Sequence, residues 1–178
     1  MSKIRFISTF IIYDVSHFRT ILFVFLFNLI PDFYLLFPLR NILLNLGGAK
    51  IPVFSNYIKS PFQCTNLRNL KIGKGNFINS GIFIDSSTDV IIGNKNQFGP
   101  RIVITTSNHD IMNNMKNVSK PIKIGDESWF GSCVILNPGV SIVSRIIIAS
   151  GGVVSKNITE EFSLYAGVPV KKIKNLNN

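Results

Sequence analysis

The 178-residue sequence contains few of the side chains on which metal and disulfide chemistry depend. Its two cysteines are Cys64 and Cys133, and its two histidines are His17 and His109. Two distant cysteines form neither a disulfide framework nor a zinc motif. Two histidines also cannot supply the three imidazole ligands of a carbonic-anhydrase-type zinc site. We therefore expect no metal ion and a reducing, cytoplasmic setting.

Acidic side chains are scarce as well: 9 Asp and Glu residues stand against 19 Lys and Arg residues, which gives a formal charge of +10. A basic chain favours an anionic partner, such as nucleic acid, a phosphorylated cofactor or an anionic membrane surface. No recognition helix or aromatic RNA-binding signature accompanies the lysines. We therefore do not expect nucleic acid as the partner.

The apolar residues are concentrated in residues 1–50, which we predict to be helical with a break at Pro31. Neither apolar run reaches the roughly 20 residues needed to span a bilayer. We expect helices that lie at the membrane interface, with Arg5, Arg19 and Arg40 near anionic headgroups, and a leader that is separable from the chemistry. The alternative is that these helices cover the open end of the next domain or pack on a neighbouring subunit.

From Ile72 onward, an aliphatic or aromatic residue recurs every six positions within three successive blocks. These positions are Ile72, Ile78, Ile84, Ile92, Phe98, Ile104, Ile124, Phe130, Leu136, Ile142, Ile148 and Val154. A six-residue period is typical of a parallel β-helix, in which each hexad forms a short strand and a turn. The key side chains then stack inside, one coil above the next at about 4.8 Å. Glycine often follows the key residue, as at Gly93 and Gly131, where we expect a tight turn.

Ile104 and Ile124 are 20 positions apart, so the hexads are interrupted. The polar segment between them predicts a loop, residues 107–120, that is pushed out of the coil. Long loops in compact repeats usually carry function. We therefore divide the chain into a leader, residues 1–50, and a β-helix domain, residues 51–178, that carries this loop and a C-terminal tail.

The sequence resembles the hexapeptide-repeat acyltransferases over roughly residues 47–176. The most specific motifs are Pro-Ile-x-Ile-Gly-Asp-x-x-Trp-Phe-Gly from Pro121, Asn-Pro-Gly-Val from Asn137, Gly-Gly-Val-Val-Ser-Lys from Gly151 and Ala-Gly-Val-Pro from Ala166. They look closest to galactoside, colanic-acid, O-antigen and capsule polysaccharide O-acetyltransferases. The resemblance implies an all-β fold, a left-handed parallel β-helix after an apolar α-helical segment. It also implies acetyl-CoA as acyl donor and a homotrimer with active sites between subunits.

His109 stands at the start of the loop, in Thr105-Thr106-Ser107-Asn108-His109-Asp110. The resemblance implies that it accepts the proton of the acceptor hydroxyl, which then attacks the thioester. An imidazole suits this task because its ordinary pKa lies near neutrality, and an alcohol is a poor nucleophile until a base takes its proton. The alternative is an exposed loop histidine without a role.

The resemblance implies roles for further residues, which we take as expectations. Acceptor binding is expected of Asn79, Asp85 and Asn108, and oxyanion stabilisation of the hydroxyl or backbone N–H of Ser132. Cofactor binding is expected of Ser132, Ser150, Gly151, Ser155, Lys156, Lys171, Lys172 and Lys174. A turn asparagine and a solvated basic tail are the alternatives for Asn79 and the lysines. We expect Trp129 to serve packing.

These expectations together describe an O-acetyltransferase that modifies a sugar hydroxyl of a surface polysaccharide or lipid-linked glycan. We expect it to be peripheral at the cytoplasmic membrane. N-acetylation of an amino sugar or drug by the same base is the enzymatic alternative. A non-catalytic β-solenoid scaffold is the alternative from another class, and His109 and the Ser155-Lys156 motif disfavour it.

Overall fold

The structure, a computed structural model, describes residues 3–176, without the side chains of residues 3–14 and 16. Two helices come first, α1 Lys3–Leu29 and α2 Phe37–Gly47. They are separated at Pro31, as predicted. A single helical turn, Tyr34–Leu36, precedes α2, and Gly48 ends it with a φ of 118°, in the left-handed region that glycine reaches without strain.

Short strands make up the rest of the described chain. In chain order they are β1 Tyr57–Ile58, β2 Phe62–Cys64, β3 Leu70–Ile72, β4 Phe77–Ile78, β5 Ile82–Asp85, β6 Val90–Ile92, β7 Gln97–Phe98, β8 Val103–Thr105, β9 Ser107–Asp110, β10 Lys116–Ser119, β11 Ile122–Ile124, β12 Trp129–Phe130, β13 Ile135–Leu136, β14 Ser141–Ile142, β15 Ile146–Ile148, β16 Val153–Val154, β17 Ser163–Gly167 and β18 Val170–Asn175.

All strands except β9 and β10 form three sheets that the chain visits in turn, so the domain is a parallel β-solenoid. Sheet I contains β1, β4, β7, β12, β15, β17 and β18, sheet II contains β2, β5, β8, β13 and β16, and sheet III contains β3, β6, β11 and β14. Neighbouring strands within each sheet are parallel, except that β18 returns antiparallel to β17. We call the turns from sheet I to sheet II the I–II corner, and those from sheet II to sheet III the II–III corner.

The hexad positions fill the interior of the solenoid. All twelve predicted inward residues are buried. In two successive coils, the rings of Phe98 and Phe130 stack with their centroids 4.7 Å apart. Burial of one such side chain contributes about 1.5–3 kcal/mol, so the repeated pattern supplies a large part of the apolar core.

The glycines that follow the inward residues serve close packing between coils, and the predicted reason, a tight turn, is wrong for them. Neither Gly93 nor Gly131 has a positive φ. A Cβ atom on Gly131 would lie 2.5 Å from the backbone nitrogen of Ser150 in the next coil. One on Gly93 would lie 2.5 Å from the carbonyl oxygen of Gly125. Backbones of successive coils therefore approach too closely for any side chain at these positions.

Helix α1 covers the open edge of the first coil. The side-chain amide of Asn28 donates to the carbonyl oxygen of Phe62 at 2.8 Å, and its oxygen accepts the N–H of Phe62 at 2.8 Å. The N–H of Leu67 donates to the hydroxyl of Thr20 at 3.1 Å. The ring of Phe27, fully buried, packs on that of Phe62 at 5.4 Å. The helix thus satisfies edge-strand groups that would otherwise be unpaired.

Arg40 lies inside this contact and not at an exposed surface, so its expected attraction to headgroups is wrong. Its side chain is 1% exposed, forms an ion pair with Asp32 and donates to the hydroxyl of Ser60 at 2.6 Å. Burial lowers the pKa of Arg40 to about 10. The side chain of Arg5 lies outside the described residues. Arg19 is exposed, and it donates to the carbonyl oxygen of Leu46 at 2.5 Å.

Among the described residues, no helix combines the length and the hydropathy that a membrane crossing requires.

Candidate functional site

The segment predicted as an extruded loop is an antiparallel hairpin. Strands β9 and β10 pair in register, with His109 opposite Asn117, and the tip carries Asn114 and Met115 in the left-handed region. The N–H of Lys120 donates to the carbonyl oxygen of Thr106 at 2.8 Å, which closes the base of the hairpin against the coil. A hairpin holds His109 more firmly than an irregular loop of the same length would.

The geometry at His109 determines which ring nitrogen is available as a base. Its Nδ1 lies 3.0 Å from the carbonyl oxygen of Met115. A carbonyl oxygen can only accept a hydrogen bond, so Nδ1 must carry the hydrogen. In the neutral ring, Nε2 is therefore the unprotonated nitrogen, and it is free to take a proton. The hairpin that positions His109 also selects its tautomer.

A cleft of about 530 Å³ adjoins the imidazole at the II–III corner. It is lined by Asn108, His109, Val118, Lys120, Asn137 and Ser155, among others. The hairpin follows β8, Asn137 follows β13 and Ser155 follows β16, which are neighbouring strands of sheet II. Parallel stacking thus brings residues from three coils to one edge. Lys120 and Asn137 had no expected role here, although Asn137 begins one of the motifs.

Asp85 lies at the root of the hairpin, and both oxygens of its carboxylate accept hydrogen bonds from neighbouring residues. One oxygen accepts from the N–H of Ser87 at 3.2 Å and its hydroxyl at 2.8 Å, and from the hydroxyl of Thr65 at 3.3 Å. The other accepts from the hydroxyl of Thr105 and from the N–H of Ser107, both at 3.0 Å. Partial burial alone would raise the pKa of Asp85, but the hydrogen bonds from Ser107, Ser87 and Thr105 outweigh it, and the pKa lies below its usual range.

The expected acceptor residue Asn79 lies elsewhere, at the I–II corner, and so do the expected cofactor-binding residues Ser132, Ser150 and Gly151. Each falls in a turn between a sheet I strand and the following sheet II strand. The N–H of Ser132 donates to the hydroxyl oxygen of Ser150 at 3.1 Å, so of the two donors expected for an oxyanion only the Ser132 hydroxyl is left. Asn79 uses its side-chain oxygen to accept the N–H of Ser80 at 2.9 Å. In one chain, sheet II separates these residues from His109.

The basic residues expected to bind the cofactor differ in their surroundings. Lys156 and Lys171 line a small depression of about 200 Å³ together with Ser155. Lys172 forms an ion pair with Glu160, which competes with its expected role. Lys174 is exposed on β18. Within residues 3–176, no ion pair involves Lys156, Lys171 or Lys174.

Trp129 does not pack into the protein as expected. Its side chain is 55% exposed on the outer face of sheet I, in register with Gln97 and Ile147. In the described part of the chain, no three His, Cys, Asp or Glu side chains are grouped as metal ligands would be.

Solved structures resemble this fold over nearly its whole length. A maltose O-acetyltransferase from Clostridium difficile 630 superposes with a TM-score of 0.84 and 24% identity, covering 94% of this chain and 89% of that one. A galactoside acetyltransferase in complex with coenzyme A gives a TM-score of 0.82 and 25% identity, covering 93% and 82% of the two chains. The first likeness shows the shared solenoid fold, and the second is that of a coenzyme A-binding protein.

Sequence comparison finds relatives among curated proteins, although no family model matches the chain. The galactoside O-acetyltransferase of Escherichia coli K12 is 29% identical over 126 residues, which are 68% of this chain and 62% of that protein. The galactoside O-acetyltransferase of Lactococcus lactis is 28% identical over 127 residues, 68% and 61% of the two chains. The match therefore spans less than two thirds of the length of these relatives.

Proposed function

We propose that the chain belongs to the hexapeptide-repeat acyltransferase family and that it transfers an acetyl group from acetyl-CoA to a sugar hydroxyl. The observation that carries the proposal is His109, whose Nδ1–H is held by the Met115 carbonyl and whose Nε2 is thereby left as a base beside a cleft. A scaffold protein would have no need of a tautomer selected in this way.

His109 acts as the general base in the proposed reaction. Nε2 removes the proton of the acceptor hydroxyl as the hydroxyl oxygen bonds to the acyl carbon of the thioester. The carbon–sulfur bond then breaks, and the proton passes from the imidazole to the departing thiolate. General-base catalysis of this kind contributes about 10²- to 10⁴-fold in rate.

The remaining residues divide into a donor side and an acceptor side. Lys156, Lys171 and Lys174, which form no ion pair within the described chain, fit the phosphates of acetyl-CoA as point charges. The Ser132 hydroxyl is the proposed donor to the developing oxyanion, and Ser150 orients the turn beside it. Asn79 and Asn108 are the proposed contacts to the sugar.

We propose a different role for Asp85 from the acceptor binding that the family resemblance implied. Its two oxygens already accept five hydrogen bonds from four residues, so a sugar hydroxyl would have to displace one of them. Thr105 and Ser107 are the first residues of the hairpin root. Asp85 therefore positions the hairpin and, through it, His109.

A homotrimer with shared sites is part of the proposal, together with the left-handed sense of the coil. Apart from Gln63, the outer face of sheet II is apolar and not buried, whereas that of sheet III is largely polar. The first consists of Gln63, Phe83, Val103, Ile135 and Val153, and the second of Lys71, Ile91, Lys123 and Ser141. If sheet II of each subunit faces the three-fold axis, the II–III corner of one subunit meets the I–II corner of the next. His109 would then face Ser132 and Asn79 of its neighbour.

The acceptor we propose is a glycan of the cell surface, modified while lipid-linked or polymer-bound at the cytoplasmic face of the membrane. The apolar leader and the charge of +10 motivate this location. N-acetylation of an amino sugar would use the same base, and the assay below includes that case.

The test measures thiol release from acetyl-CoA by the purified full chain with a panel of saccharides, including amino sugars. We expect acceptor-dependent release, and a hydroxyl ester in the product by mass spectrometry. An amide product would replace the O-acetyl assignment with the N-acetyl one. Absence of release with every saccharide and with extracted lipid-linked glycan would favour the scaffold alternative.

A further inference from the structure

Exposed apolar side chains line one side of the two helices. On α1, Phe18, Leu22, Phe25 and Leu29 recur at three- and four-residue spacing, opposite Phe27, which packs on the first coil. Phe25 also lines a depression of about 380 Å³ together with Gln63 and Phe83 of sheet II. Three of them are about 60% exposed: Phe18 63%, Phe25 59% and Leu29 63%. Apolar side chains at this spacing on a solvent-facing side are not explained by packing within the chain.

The second helix extends this surface. Leu35, just before α2, is 89% exposed, and Leu39 within it is 47% exposed. The opposite side of α2 is buried on the coil through Asn41, whose amide donates to the carbonyl oxygens of Val53 and Asn56, both at 2.9 Å. We call Phe18, Leu22, Phe25, Leu29, Leu35 and Leu39 the end surface. Exposed apolar side chains grouped on two helices that pack against each other mark an interaction site.

The charges around the end surface identify its partner. Residues 1–84 contain nine Lys and Arg residues and two acidic residues, Asp14 and Asp32. Asp32 is paired with the buried Arg40, and Lys71 is paired with Asp89. Arg19, Lys50 and Arg68 of this stretch are exposed. A second copy docked end to end would bring the same cations together, which is unfavourable. An anionic surface would be attracted by them.

We propose that the end surface docks on an anionic lipid bilayer, with α1 and α2 lying in the plane of the interface. Interfacial helices bury their apolar face about 5–10 Å deep at the boundary between headgroups and acyl chains, and each nearby cation adds attraction to anionic lipid. A charge-rimmed apolar surface built from two helices meets both requirements.

This orientation, combined with the proposed function, restricts the substrate class. The hairpin of His109 follows β8, which is two inter-strand steps from β2 at the capped edge, or about 10 Å. The helical layer adds about 10 Å more. The base therefore stands about 20 Å from the lipid contact, so the acceptor is the saccharide portion of a membrane-anchored glycan and not a lipid headgroup.

The test is sedimentation of the full chain with phosphatidylcholine vesicles prepared with and without phosphatidylglycerol. One variant carries Phe18→Gln, Phe25→Gln and Leu29→Gln, and its matched control carries Met112→Gln, Val168→Gln and Ile173→Gln, which are also exposed apolar residues. A third variant, Arg19→Gln with Arg68→Gln, leaves the apolar side chains unchanged. Circular dichroism verifies that each variant is folded.

We expect the full chain and the control to bind phosphatidylglycerol vesicles, and the end-surface variant to partition at least about tenfold more weakly. The arginine variant should lose the preference for phosphatidylglycerol. Failure of the full chain to bind vesicles, or equal binding by all variants, would overturn the proposal. So would a lipid-free oligomer that halves in size in the end-surface variant, because the occupant would then be a second copy. Acetylation of a free saccharide by the same samples tests the proposed activity separately.

Discussion

At the scale of single residues, His109 carries the chemistry that we propose. We expect His109→Ala to lower acetyl transfer about 10²- to 10⁴-fold while coenzyme A affinity stays nearly constant, because the base acts in the chemical step. Steady-state kinetics and calorimetric titration with coenzyme A measure the two quantities. The matched control is Asn117→Ala, which alters the exposed cross-strand neighbour of His109. Activity of the His109 variant within a few-fold of the parent would remove it from the mechanism.

Asp85 is the second residue for which the structure makes a sharp prediction. Asn at this position has one oxygen in place of two, so its amide group must face the N–H of either Ser87 or Ser107. We expect Asp85→Asn to lower kcat about tenfold through a mispositioned base, with little change in the KM for acetyl-CoA. Hydrogen exchange of the hairpin amides should accelerate.

The control for Asp85→Asn is Asp89→Asn, which removes only a partly exposed ion pair with Lys71. Both variants lose one carboxylate of the same corner, so a general charge effect would lower kcat in both. Unchanged kcat and hairpin exchange in Asp85→Asn would show that the hairpin holds its geometry without the carboxylate.

The sequence predicted individual residues unevenly. The inward hexad residues were all predicted correctly. Their burial follows from the spacing of apolar residues along the chain, which the sequence shows directly. The hydrogen bonds of Asp85 join residues 20 and 22 positions away along the chain, and those depend on which coils stack. The glycine spacing was visible, but its cause, a neighbouring backbone within 3 Å of a would-be Cβ, exists only in the assembled stack.

At the scale of elements, the role of helix α1 differs most from the one that the sequence predicted. The sequence predicted a leader separable from the chemistry, but Asn28 and Thr20 satisfy the backbone of the first coil. We expect a chain that starts at Gly47 to aggregate, because it would expose the fully buried Phe62 and Leu67 and an unpaired strand edge. Light scattering and thermal melting measure this outcome.

A milder variant tests the hydrogen bonds between α1 and the first coil without removing the leader. Asn28→Ala removes the two hydrogen bonds to Phe62 but keeps the apolar helix, so its melting temperature should fall without aggregation. A Gly47 chain that keeps the oligomeric state and melting temperature of the parent would show that the helices do not stabilise the coils.

The hairpin is the element that the sequence predicted only in part. The interruption gave its position, because the hexads stop at Ile104 and resume at Ile124. The pairing of β9 with β10 was not predicted, because a polar segment rich in Asn lacks the alternation of a typical strand. Its strands are held by backbone bonds and by the Asp85 carboxylate, not by a buried side-chain face.

At the scale of the whole molecule, the separation of His109 from Ser132 by sheet II leads to a test of shared sites. His109→Ala and Ser132→Arg should each inactivate the proposed homotrimer, the second by blocking the donor side. When the two chains are mixed and assembled randomly, about one quarter of the sites combine an intact His109 with an intact Ser132 from a neighbour. We therefore expect activity to return on mixing, whereas sites contained within one chain would remain inactive.

The stacked coils also fix the distance between His109 and the helices along the solenoid axis. Strand spacing is set by backbone hydrogen bonds, so the height of His109 above the helical cap changes only in whole steps of about 4.8 Å. In the early coils one step corresponds to 20 residues, as between Phe77 and Gln97, which are paired in register. Duplication of such a coil between the helices and the hairpin should leave transfer to a free sugar unchanged. It should also increase the distance of His109 from the membrane by about 4.8 Å, so that a more distant sugar of a membrane-anchored glycan is modified. The number of coils before the hairpin would then select how far along an anchored glycan the acetyl group is placed.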